Sequence, residues 1–183
     1  RSPARGLGDV YKRQALGRLH ENKGFDVLLE ALSVLPDVFL WLAGEGPQKR
    51  LLTRMANNLK VSDRVRFLGW RLDTPNLLAT ADALICPSRH EPLGNVILEA
   101  WAQERPVIAA ASDGPKELIQ NGKNGFLCEI DNAPNLADAI QNILSDSRLA
   151  REIARDGAKT YKSNFSKNIV VGKYQDFFEK VVQ

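Results

Sequence analysis

The strongest constraint on this chain is an alternation. Short apolar runs at Ala15–Leu19, Val38–Ala43, Val65–Leu68, Ala83–Cys86, Pro106–Ala110 and Gly125–Glu129 are separated by stretches with helical spacing of apolar residues. Between the first two runs, Lys23–Leu35 puts Val27, Leu28, Ala31, Leu32 and Leu35 on one face. Further helices are expected from Pro47 to about Leu59, over Asn76–Ala81, Gly94–Ala102 and Pro115–Gln120. From Pro134 the pattern is helical to the end, in three segments: one on Leu136, Ala137, Ile140, Ile143 and Leu144, one through about Tyr161, and one over Lys167–Val182. A proline suits the first turn of the first of these. Runs this apolar read as strands buried on both faces, and strands alternating with helices predict an α/β fold. The expected architecture is a doubly wound parallel sheet of about six strands, with helices on both faces and extra helices at the C-terminal end.

The length of 183 residues suits one domain with a real core. Four basic residues against one acidic residue in positions 1–14 account for the whole net charge of +3, and the rest of the chain is balanced. The charge therefore gives no reason to expect nucleic acid as a partner. No apolar run is long enough to span a membrane, and no secretory signal is read in the polar, basic first residues. Cys86 and Cys128 both sit in strand-like runs without a neighbouring ligand at metal spacing. They read as buried thiols, and a cytoplasmic setting is expected.

Residues 1–14 have no apolar period and no capping signal, and Asp9–Gln14 resembles the translation of an adapter used in sequencing libraries. The segment is expected to be non-native, with the domain occupying residues 15–183.

In a doubly wound sheet, ligands bind beyond the carboxyl ends of the strands. After the first run stand Arg18 and Lys23, two cations bracketing a strand-to-helix loop and able to close on a diphosphate. The glycine fingerprint of dinucleotide enzymes is missing there. After the fourth run comes Pro87-Ser88-Arg89-His90-Glu91-Pro92-Leu93-Gly94-Asn95-Val96-Ile97-Leu98-Glu99-Ala100. The amides of Gly94, Asn95 and Val96 would open from a helix N-terminus, suited to phosphate oxygens. Glu99 can accept two hydrogen bonds from vicinal ribose hydroxyls, and Glu91 could do the same for a sugar. Each glutamate alone would equally suit a solvated surface. His90 is not favoured as a base.

In chain order the sequence presents Gly17-Arg18-Leu19, Lys23-Gly24, Gly44-x-Gly46-Pro47, Phe67-x-Gly69, Ala81-Asp82-Ala83, Pro87-Ser88, Glu91-x-x-Gly94-x-x-x-x-Glu99-Ala100, Pro106-Val107-Ile108-Ala109 and Asn121-Gly122. This set resembles the C-terminal, donor-binding domain of the retaining glycosyltransferases of family four, which have the GT-B fold of two Rossmann-like domains. The resemblance implies that Arg18 and Lys23 hold the donor diphosphate and that Glu91 contacts the transferred sugar. It puts the backbone of Leu93, Gly94, Asn95 and Val96 against sugar hydroxyls and phosphate, Glu99 on the ribose, and Gly69, Trp70 and Arg71 beside the base. It implies a nucleoside-diphosphate sugar as donor, no cofactor and no metal. The glycan or lipid-linked acceptor would be met through an N-terminal domain outside this chain, leaving the chain inactive alone. Cell-envelope or lipopolysaccharide synthesis would be the setting, with peripheral contact of the longer protein at the inner face of the cytoplasmic membrane. Two positions depart from the family pattern: Gln103-Glu104-Arg105 replaces a small-residue run ending in glycine, and Ser112-Asp113-Gly114-Pro115 stands where a glycine pair is common.

Two other readings stay open at this stage. A nucleotide-sugar epimerase-like enzyme shares the diphosphate site but would differ in the loop after the fourth strand. A non-catalytic nucleotide-sugar-binding module would keep the fold without transfer.

Overall fold

The computed structural model describes residues 11–181, with side chains from Gln14 onward. Its core is a six-stranded parallel sheet of β1 (Tyr11–Leu16), β2 (Val38–Ala43), β3 (Val65–Gly69), β4 (Ala83–Cys86), β5 (Val107–Ala110) and β6 (Phe126–Cys128). The strand order is β3-β2-β1-β4-β5-β6, so the winding reverses between β1 and β4. The helices are α1 (Phe25–Ser33), α2 (Lys49–Asn58), α3 (Thr74–Thr80), α4 (Asn95–Ala102), α5 (Asp113–Leu118), α6 (Ala133–Ser145), α7 (Ser147–Asn164) and α8 (Lys167–Val181). Among the described residues no helix is long and apolar enough to cross a membrane.

The period-two geometry of the strands splits the core into two layers. Ala15, Leu40, Leu42, Ala83, Ile85 and Ile108 face one layer, packed with α1, α2 and α6. Leu84, Cys86, Val107 and Ala109 face the other, packed with α3 and α4. The central strands β4 and β5 are buried along their whole length, which is why their sequences lack polar alternation.

The first strand does not follow the sequence expectation of Ala15–Leu19. It begins at Tyr11 and ends at Leu16, with Gly17 leaving it at φ +147°. Tyr11–Gln14 align with Val38–Trp41 of β2. Parallel pairing uses main-chain groups, so the polar run Tyr-Lys-Arg-Gln can occupy a central strand that hydropathy overlooks. The reading of residues 1–14 as adapter-like lies, for residues 1–10, outside the described residues. The remaining elements fall within a few residues of their expected bounds, the main difference being a single 3-10 turn, Glu21–Lys23, ahead of α1.

Gln14 shows what a polar residue meets in that strand. It is fully buried in register with Leu84, and among the described residues neither atom of its amide has a hydrogen-bond partner. An unpaired buried amide costs about 1–3 kcal/mol, so Gln14→Leu, close in volume, is expected to stabilise the fold by an amount in that range. Urea denaturation of the two proteins measures it, and an unchanged or lower midpoint in the leucine variant would contradict the assignment.

Candidate functional site

The reversal between β1 and β4 opens a crevice at their carboxyl ends, where doubly wound sheets bind ligands. Two loops meet there. Gly24 closes the 3-10 turn in the left-handed region, φ +61° and ψ +25°, and starts α1. A Cβ on it would lie 2.1 Å from the Pro87 carbonyl oxygen, so only glycine lets the loop after β1 lie against the end of β4. A backbone bond from the His90 amide to the Asn22 carbonyl, 3.2 Å, joins the same loops.

This approach brings together two residues far apart in sequence. The Lys23 ammonium donates to the Glu91 carboxylate across the crevice. The side chains are only 24% and 12% exposed, so water screens the pair less than a surface salt bridge. Lys23 reaches Glu91 by running past Gly17, where a Cβ would stand 3.3 Å from its chain. Beneath the pair, the buried Ser88 hydroxyl donates to Glu91 Oε2 at 3.4 Å and contacts Cys86 Sγ at 3.6 Å. The Gly114 amide donates to the Glu91 carbonyl at 2.8 Å, tying the loop after β5 to the same place.

The segment following Glu91 leads into α4. Gly94 is its N-cap, at φ +87° and ψ +43°. The glycine is needed for this backbone turn, and it packs against Ile97 and Leu118. The Gly94, Asn95 and Val96 amides are those a helix leaves without an internal carbonyl, so the positive end of α4 faces out beside Glu91. Asn95 and Leu93 are exposed. Arg18 is exposed on the β1 loop and is not drawn into the Lys23–Glu91 pair.

The other expected residues lie apart from that pair. Glu99 lines a cleft of about 260 Å³ between α3, α4 and α7, together with Pro75, Asn95, Leu98, Gln103 and Tyr161. Desolvation by these helices pushes its carboxyl above the ordinary range, although it lies on the outer side of α4. Gly69 ends β3, the sheet's edge strand, at φ +67° and accepts from the Gly44 amide. Trp70 is 74% exposed, and Arg71 forks onto Asp73 with two bonds of 2.8 Å. The structure thus joins Lys23 and Glu91, sets Gly94–Val96 beside them, links Asn95 to the Glu99 cleft, and leaves Gly69–Arg71 at the edge of the sheet.

The arrangement can do three things. It offers a cation and helix amides for an anion, carboxylates for hydroxyl groups, and an exposed aromatic surface. Among the described residues no three His, Cys, Asp or Glu side chains stand together as a metal site.

A comparison with sequence families decides the family. The family described as "Glycosyl transferases group 1" matches residues 14–160. The chain belongs to that family. This glycosyltransferase domain is 43% identical over 160 residues to the lipopolysaccharide core biosynthesis glycosyltransferase LpsE of Rhizobium meliloti (strain 1021), covering 87% of this chain and 47% of LpsE. It superposes with a TM-score of 0.89 on Anabaena Alr3699/HepE, solved in complex with UDP and glucose, at 30% identity, covering 97% of this chain and 50% of that one. The C-terminal domain of the glycosyl transferase group 1 family protein LpcC from Francisella tularensis matches with a TM-score of 0.79 and 26% identity, over 86% of this chain and 87% of that one. The chain spans about half the length of the curated relatives it matches. Its six-stranded parallel sheet is Rossmann-like, as in one half of a GT-B fold.

Two residues at this crevice carry no functional signal in the sequence: Ser88 stands only within a motif and Arg89 has no assigned role, because a loop serine and a loop arginine ordinarily face solvent. Only the fold shows Ser88 under Glu91 and Arg89 between loops. The two cysteines are free and buried, as expected. Burial raises the Cys86 thiol, and burial with the Asp138 charge pushes Cys128 up to about 12.

Proposed function

We propose that this chain is the donor-binding half of a retaining glycosyltransferase, which takes a sugar from a nucleoside-diphosphate sugar and passes it to an acceptor held by a second domain. The observation that supports this most is the Lys23–Glu91 pair, bridging the reversal point of the sheet beside the N-terminus of α4. In this reading Lys23 exchanges Glu91 for the donor diphosphate, with Arg18 as a second cation and the amides of Gly94, Asn95 and Val96 as further donors. These groups put positive charge where it develops negatively on the leaving phosphate. Glu91, released from Lys23, meets the sugar with the backbone of Leu93. Glu99 holds the ribose, and Gly69, Trp70 and Arg71 flank the base. No cofactor or metal is invoked.

The UDP and glucose in the Alr3699/HepE structure favour a uridine donor, and the similarity to LpsE favours cell-envelope or lipopolysaccharide synthesis in the cytoplasm. A glycan or lipid-linked acceptor at the inner membrane face fits the same setting. With the acceptor site on another domain, the chain binds donor without transferring sugar.

The test is ligand-observed NMR on the 183-residue chain with UDP, GDP and ADP. UDP is expected to bind, and Lys23→Ala to weaken it by roughly tenfold to a hundredfold, since a charge-assisted contact to phosphate contributes about 1.5–3 kcal/mol. A folded chain that binds none of the three, or an alanine variant that binds as well as the parent, would sink the donor-site reading.

A further inference from the structure

Arg89 lies two residues before Glu91, 28% exposed, and its guanidinium uses each of its three nitrogens. Nη1 donates to the Glu21 carbonyl at 2.6 Å and to Asp26 Oδ1 at 2.9 Å, and Nη2 donates to Asp26 Oδ2 at 2.7 Å. Nε faces Asp131 Oδ1 at 2.6 Å. These partners come from three places: the turn carrying Lys23, the first turn of α1, and the loop between β6 and α6. Asp131 adopts a left-handed backbone, φ +59°, which aspartate tolerates better than most residues. Burial works against ionisation of Asp26, but the hydrogen bonds and charge of Arg89 outweigh it and hold its carboxyl below the ordinary range.

We propose that Arg89 is a positioning residue: its fork clamps the loops after β1, β4 and β6 together and so sets the spacing of Lys23 and Glu91. The grip falls within two residues of each. Glu21, whose carbonyl it binds, precedes Lys23 by two, and Glu91 follows Arg89 by two. The fork-to-carboxylate geometry matters because it fixes direction as well as charge. A lysine keeps the charge but offers one point, and cannot hold Asp26, the Glu21 carbonyl and Asp131 together. The proposal rests on the donor-site reading only for its consequence, that correct spacing raises nucleotide affinity. The clamp itself is a statement about the loops.

Amide hydrogen exchange and UDP titration on the 183-residue chain separate these parts, using Arg89→Gln and Arg89→Lys. The Lys23, Gly24 and His90 amides bond to the His20, Glu21 and Asn22 carbonyls and report on the loops directly. In both variants they are expected to exchange about tenfold faster or more, while amides of β2 and β5 keep their protection. UDP is expected to bind about tenfold more weakly to Arg89→Gln and several-fold more weakly to Arg89→Lys, at temperatures where both are fully folded. A residue that only supports the fold would lower protection everywhere and leave the affinity of the folded fraction unchanged, and that outcome overturns the proposal. So does an Arg89→Lys protein that matches the parent in loop exchange, and this variant decides the matter if the glutamine protein does not fold. If the parent binds no UDP, the donor-site reading falls, and loop exchange alone confirms or overturns the clamp.

Discussion

Gly24→Ala is expected to destabilise this domain by about 3 kcal/mol and to remove most nucleotide affinity from what remains folded. Two costs act together. The left-handed backbone at φ +61° penalises any side chain by about 1–2 kcal/mol. The added Cβ also falls 2.1 Å from the Pro87 carbonyl oxygen, a backbone atom that cannot rotate away, and overpacking of this kind costs about 1–3 kcal/mol. Relief requires the loop after β1 to part from the end of β4, which pulls Lys23 away from Glu91. Gly122→Ala is the control. Gly122 is also left-handed, φ +76°, but a Cβ there meets nothing within 4 Å, so it isolates the backbone cost. Denaturation midpoints and UDP titrations of both variants make the comparison. If the two alanines cost the same, the close approach of the loops is not rigid and the geometric basis of the site fails.

Trp101→Ala should have the larger effect on stability, a loss of about 3–5 kcal/mol, as for other buried aromatic deletions. Trp101 is completely buried on α4, and its Nε1 donates to the Asn124 carbonyl at 3.0 Å. Gly157 of α7 lies against the ring, where a Cβ would come within 2.4 Å of two ring atoms. Asn124 is bonded in turn to the Gln120 amide, the Leu118 carbonyl and the Thr160 hydroxyl. Removing the indole therefore opens a cavity between α4 and α7 and strands the Asn124 carbonyl. At about 2–4 °C per kcal/mol for a domain of this size, the melting temperature should fall by roughly 10 °C. Trp101→Phe keeps most of the volume and loses the donor, so its cost should stay near the 1–3 kcal/mol of one unsatisfied carbonyl. A loss below about 1.5 kcal/mol for the alanine variant would mean that the helices close over the gap, contrary to the packing described. The effect reaches the site because α4 carries both Glu99 and the amides beside Glu91.

Much of the architecture was legible in the residues, for a definite reason. Strands such as Ala83–Cys86 and Val107–Ala110 are buried on both faces, and helices such as α6 bury one face, so hydropathy periods record them directly. Where burial does not decide structure, the reading failed. Tyr11–Gln14 entered β1 through main-chain pairing that their side chains do not announce. Arg18 and Lys23 looked equivalent in sequence, yet Lys23 folds back onto Glu91 and Arg18 stays exposed. A separation of 68 residues divides Lys23 from Glu91, and 63 divide Asp26 from Arg89. No local pattern relates residues so far apart.

The exposure of apolar residues on α8 is likewise a matter of context. Tyr174, Phe177 and Phe178 of α8 are each about 60% exposed, and the Phe178 ring faces those of Tyr174 and Phe177. Their spacing shows an apolar surface but not what surrounds it.

By itself, the sequence determined the strand–helix alternation, the two-sided burial of the sheet, and the types of residue placed after each strand, because these follow from local chemistry and periodicity. The tertiary structure alone decided which of those residues meet. The sheet reverses between β1 and β4, Gly24 has no Cβ to hold the loops apart, and Arg89 clamps them. Lys23 and Glu91 face each other because of that packing, which depends on long-range contacts rather than on the local order of residues.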